Sequence, residues 1–96
     1  MDFVFKKAED CFANAENYEY RIEVQGLEFI KVLEPFAEWL RVNDKLRRPT
    51  FMARLENGTQ LKGLLGKQVI KVGYVEAQAE EHKRAFEAWL QALKPQ

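Results

Sequence analysis

Residues 50 to 75 are patterned for antiparallel strands, and no other stretch constrains the fold as tightly. Thr50 to Glu56 alternates, with Phe51, Ala53 and Leu55 on one side and Met52, Arg54 and Glu56 on the other. After Asn57-Gly58 the alternation resumes, with Leu61, Gly63 and Leu65 set against Gln60, Lys62 and Leu64. Asn-Gly between two such runs signals a hairpin, because both residues accept the positive φ that tight turns demand. A strict two-residue loop would put Leu55 opposite Gln60 and mismatch the faces. A three-residue loop with a bulge at Gly58 restores agreement, pairing Leu55 with Leu61, Arg54 with Lys62 and Met52 with Leu64. Gly66-Lys67 makes the next turn, and Gln68 to Val75 is a β-branched third strand. A two-residue loop there pairs Lys62 with Lys71, Gly63 with Ile70 and Leu61 with Val72.

The predicted core face is Phe51, Ala53, Leu55, Leu61, Leu65, Ile70, Val72 and Tyr74. The opposite face gathers Arg54, Lys62 and Lys71 into one row and Met52, Leu64 and Val69 into the next. Like charges directly opposite one another destabilise a sheet by a fraction of ~1 kcal/mol per pair. A face that mixes such charges with apolar side chains reads as one to be covered.

Charge is uneven along a chain whose net charge is zero. Residues 1 to 40 carry nine acids against four bases, a net of −5, and residues 41 to 71 carry eight bases against two acids, a net of +6. Such a basic segment serves nucleic acid, an acidic partner or the chain's own acidic half. In the last case Glu19, Glu23 and Glu28 would face Arg54, Lys62 and Lys71 across one sheet.

The acidic half holds one clear strand. Tyr18, Tyr20, Ile22 and Val24 alternate with Glu19, Arg21, Glu23 and Gln25. A turn at Gln25-Gly26 would lead into a second strand over residues 27–33. The spacing of Phe29, Leu33, Phe36 and Leu40 also suits a single helix over 27–46, but Pro35 would interrupt it. Pro35 at a first helical position favours a hairpin followed by a helix from about Pro35 to Leu46. Phe5, Ala8, Phe12 and Ala15 form a helical stripe over Phe3 to Ala15, capped by Asp2. A last helix spans Glu76 to Leu93, with Ala79, Phe86, Leu90 and Leu93 inward, acids in its first turn and Lys94-Pro95 at its end. The predicted order is α-β-β-α-β-β-β-α, an α+β fold with up to five strands in a single domain over residues 1–96.

Chemistry is sparse. One histidine, His82, and one cysteine, Cys11, suggest neither a nucleophile–base pair nor a metal site. His82 reads as a rim residue of the last helix and Cys11 as a small core residue of the first. No phosphate-cradling or dinucleotide motif is present. We expect no enzyme, cofactor or metal. Met1 to Lys7 contains no apolar run long enough for a signal peptide or membrane span, so a cytoplasmic protein without membrane association is expected.

Binding remains. The leading reading is a regulatory interaction module whose partner is a protein with an acidic surface, or a second copy in a homodimer. Its contact residues are Arg47, Arg48, Met52, Arg54, Lys62, Leu64, Val69 and Lys71. Ile30, Val32, Trp39 and Val42 add apolar surface, and a helical N-terminus packed on the outer face would hide part of it. The alternative is nucleic-acid binding through the basic 41–71 segment, with Arg41 and Lys45 joining the cluster.

Overall fold

The meander forms as its alternation requires and recruits three further strands. The computed structural model describes residues 1–9, 11–45 and 47–94. In chain order its elements are β1 (Phe3–Lys7), β2 (Ala15–Ile22), α1 (Gly26–Leu33), β3 (Ala37–Asn43), β4 (Thr50–Leu55), β5 (Gln60–Leu64), β6 (Val69–Val75) and α2 (Ala79–Ala92). Single 3-10 turns, Glu34–Phe36 and Glu76–Gln78, precede β3 and α2. The strands form one antiparallel sheet in the order β1-β2-β6-β5-β4-β3. The fold is α+β, with six strands rather than five.

Both helices pack on the same face. Phe51, Ala53, Leu61, Ile70, Val72 and Tyr74 are buried there, with Leu55 and Leu65 at the margin. α1 supplies Phe29 and Leu33, and α2 supplies Ala79, Phe86 and Leu90. The Phe86 ring meets Tyr20 edge-on at 5.6 Å, and Trp89 meets Phe29 at 6.0 Å, so one aromatic cluster joins both helices to the sheet.

The two meander turns differ in how well the sequence specified them. β5 and β6 pair as expected, Lys62 with Lys71 and Gly63 with Ile70. β4 and β5 keep the expected faces, but the register lies two residues away. Leu55 N–H donates to the Thr59 carbonyl at 2.8 Å, and Asn57 Oδ1 accepts from Thr59 N–H at 3.0 Å. That closes a three-residue loop with Gly58 at φ +92°. Arg54 therefore sits opposite Gln60 and Met52 opposite Lys62. The three-cation row is corrected to a Lys62–Lys71 pair.

Three further expectations are corrected. Phe3 to Ala15 is not a helix: Phe3 and Phe5 alternate with Val4 and Lys6 in β1, which pairs with β2. Phe, Val and Phe favour a pleated, half-buried surface once a partner strand is present. Residues 27–33 are helical, and no turn forms at Gln25-Gly26. Gln25 provides no side-chain cap; instead the turn between β5 and β6 accepts the first N–H groups, Gly26 to Lys67 O and Leu27 to Leu65 O, both at 2.9 Å. Only glycine fits at 26, since a Cβ there would lie 2.4 Å from the Leu64 carbonyl oxygen. Pro35 does not start a helix: it is the second residue of the 3-10 turn Glu34–Phe36, which runs on directly from α1, and β3 follows in place of the expected helix. The expected end of that helix at Leu46, Asp10 within the first helix, and Pro95 as a terminator fall outside the described residues.

Candidate functional site: the open face of the sheet

The helices leave the other sheet face bare, and strand register fixes what it displays. One continuous row crosses all six strands: Lys6, Glu19, Lys71, Lys62, Met52 and Arg41. The Glu19 carboxylate lies between two cations, 3.5 Å from Lys6 Nζ and 3.5 Å from Lys71 Nζ. Lys62 Nζ donates to the Cys11 carbonyl at 2.8 Å and stands 4.9 Å from the centre of the Phe12 ring. The repulsion between Lys62 and Lys71 is thus relieved largely within the chain. Such partly exposed ion pairs are worth only ~0–1 kcal/mol each, so they help set strand order more than stability.

The loop between β1 and β2 covers one end of this face. Asn14 adopts φ +56°, and Asn17 Nδ2 donates to the Phe12 carbonyl at 3.1 Å. Phe12 lies against Gly73, where a Cβ would fall 2.6 Å from its Cδ2. Cys11 is therefore a half-buried loop residue rather than a core residue of a helix.

Beyond that loop the face is open. A groove of about 500 Å³ is lined by Met52, Leu64 and Val69, with Thr50, Lys62, Lys67 and Lys71 around them. Met52 is 44% exposed. Five of the eight expected contact residues meet here: Met52, Lys62, Leu64, Val69 and Lys71. Arg54 is on the same face but outside the groove, paired with Glu38 at 3.7 Å. Arg47 and Arg48 are exposed in the loop before β4 and do not line the groove. Thr50 and Lys67 went unnoticed in the sequence, although Thr50 has the same parity as Met52. Of the three acids expected to face the basic strands, only Glu19 does. Glu23 accepts from the Asp2 backbone N–H, and Glu28 pairs with Lys31.

A second polar cluster lies on the helical face. Tyr20 Oη donates to Glu87 Oε2 at 2.7 Å, so its 2.6 Å bond with Tyr74 takes the proton from the Tyr74 hydroxyl. Lys83 completes the chain with an ion pair to Glu87 at 2.8 Å, and its ammonium stands 3.9 Å from the centre of the Phe5 ring. Burial, with the contacts to Tyr74 and Glu87 added, pushes the Tyr20 hydroxyl far above the usual phenol range. Burial likewise raises Tyr74. His82 is half-buried on α2, as expected for a rim residue, with Nδ1 enclosed and lacking a hydrogen-bond partner among the described residues. Among the described residues, no cluster of three or more His, Cys, Asp or Glu is placed to hold a metal, and no helix is long and apolar enough to cross a membrane.

No protein-family model, curated protein or solved structure matches the chain.

Proposed function

We propose that the protein is a small non-enzymatic interaction module that holds another protein against the open face of its sheet. The observation that carries this reading is the uncovered groove, with an apolar floor of Met52, Leu64 and Val69 beside Lys62, Lys67 and Lys71. Apolar side chains set side by side on an exposed surface gain by being covered. Lysines around them favour a partner whose own apolar contact is flanked by carboxylates. The internal engagement of Lys62 and Lys71 narrows the clue: the apolar floor supplies the drive, and Lys67 sets orientation. Tyr20 and Tyr74, the fully buried members of the Tyr74–Tyr20–Glu87–Lys83 chain, spend their hydroxyls on each other and on Glu87, which favours a structural role for them over a catalytic one.

The test uses the wild-type protein as bait in an extract of its host. A retained protein is then purified and titrated calorimetrically. Met52→Glu and Leu64→Glu should each weaken binding at least tenfold, about 1.4 kcal/mol, while Val32→Glu on α1 should leave it unchanged. Equal binding by all three variants would place the contact elsewhere.

One observation favours a nucleic-acid reading in second place. Trp39 lies on the open face opposite Arg54, with the Arg41 guanidinium 5.2 Å from its ring centre. An aromatic ring among cations is what stacking on single-stranded bases requires. Quenching of Trp39 fluorescence by an oligonucleotide, lost with salt and absent in Trp39→Phe, would move this reading ahead.

A further inference from the structure

The two edges of the sheet are unlike. β3 is irregular, with its register shifting between Ala37 and Trp39, a device that turns an edge away from new partners. β1 pairs in unbroken register and exposes apolar side chains, Val4 at 65% and Phe5 at 48%.

Two backbone bonds show which groups β1 leaves unpaired. Ala8 N–H donates to the Asn17 carbonyl, and Ile22 N–H on the far side of β2 donates to the Gln68 carbonyl. With the β1–β2 register, the even-numbered residues of β1 therefore turn their backbone groups towards β2. Phe3, Phe5 and Lys7 turn theirs out of the sheet. The edge is also held in place: the Met1 ammonium donates to the carbonyls of Leu90 at 3.0 Å and Gln91 at 2.9 Å, and to that of Leu93, at the end of α2.

We propose that two copies of the chain join edge to edge through β1, antiparallel and centred on Val4. This register lets Phe3 of each copy exchange both backbone hydrogen bonds with Phe5 of the other. It sets Val4 against Val4, and Asp2 of each copy against Lys6 of the other. Charge complementarity selects it over the neighbouring register centred on Phe5, which uses the same free backbone groups but sets Lys6 against Val4 and Lys7 against Phe3. The two-fold axis stands perpendicular to the sheet, so the open faces of both copies lie on the same side. The dimer is a twelve-stranded sheet presenting two grooves to one partner surface. The pairing does not rest on what occupies the groove, and none of the variants below touches it.

The test is molar mass by light scattering from low micromolar to near-millimolar protein. Wild type should show a dimer fraction that rises with concentration. Phe5→Pro removes an outward N–H without breaking the β1–β2 ladder, since proline is tolerated where an edge N–H faces solvent. It should be monomeric throughout, with an unchanged circular dichroism spectrum. Asp2→Lys and Lys6→Asp should each raise the dimer dissociation constant about tenfold, and the double exchange should restore it, because the opposed charges again attract. The rescue decides the matter even if Phe5→Pro does not fold. A monomer at every concentration, a dimer that survives Phe5→Pro, open-ended polymers, or a double exchange without rescue would overturn the proposal.

Discussion

Tyr20 and Tyr74 are fully buried, and their hydroxyls are satisfied by each other and by Glu87. Both hydroxyls titrate above the phenol range in the folded protein, so between the unfolded and folded values the native state binds more protons than the unfolded chain. Their stabilising effect is fully present below about pH 10, the unfolded value, and is lost progressively as pH rises above it. Urea midpoints measured from pH 8 to 11.5 should therefore fall steeply above about pH 10. Tyr74→Phe should flatten that fall and lower stability at neutral pH by about 1 kcal/mol, the net worth of one hydrogen bond. An unchanged alkaline limb would mean that other groups drive the loss. None of this network could be read from the sequence: Tyr20 and Tyr74 were legible as core-facing, but Glu87 lies 67 residues from Tyr20 and meets it only when α2 docks.

At the scale of the element, legibility followed period. β2, β4, β5, β6 and α2 were readable because their alternation or helical stripe agrees with their neighbours in space. β1 and β3 were not. The Phe5, Ala8, Phe12 and Ala15 spacing imitates a helix, and nothing local reveals that Phe3 and Phe5 will lie beside Tyr20. α1 is eight residues long and lacks a side-chain cap, so it depends on the carbonyls of the β5–β6 turn. Gly26→Ala should cost about 2–3 kcal/mol, because the atom in the way is backbone oxygen and cannot turn aside. Chemical denaturation of this variant measures the cost, and the helical circular dichroism signal should weaken with it. Of the expected contact residues, the parity argument put Met52, Arg54, Lys62, Leu64, Val69 and Lys71 on the correct face. The charge pattern offered Glu19 of β2 as an internal partner for this row, and it does pair with Lys71, but the claims on Lys62 and Arg54, from a loop and from β3, were missed.

For the whole molecule, the two sheet faces should respond to mutation in opposite ways. Leu90 is fully buried on α2, and Leu90→Ala should cost about 2–5 kcal/mol by opening a cavity. Met52→Glu on the open face should change stability by no more than about 0.5 kcal/mol, since its carboxylate stands in water opposite Lys62. Thermal melts of the two variants measure this contrast, and a comparable loss in both would mean that the open face belongs to the core. The strand order has one further consequence. β1 and β2 reach β5, β4 and β3 only through β6, which is made later than all of them. While the chain is being synthesised, the first hairpin and the following strands have no shared edge until residue 75 has emerged. Tyr20 and Phe51 then have no finished core to enter. β6 is the keystone of an arch whose two sides are built first and stand apart until it is set, so the late-formed contacts govern how quickly the newly made protein is protected from aggregation.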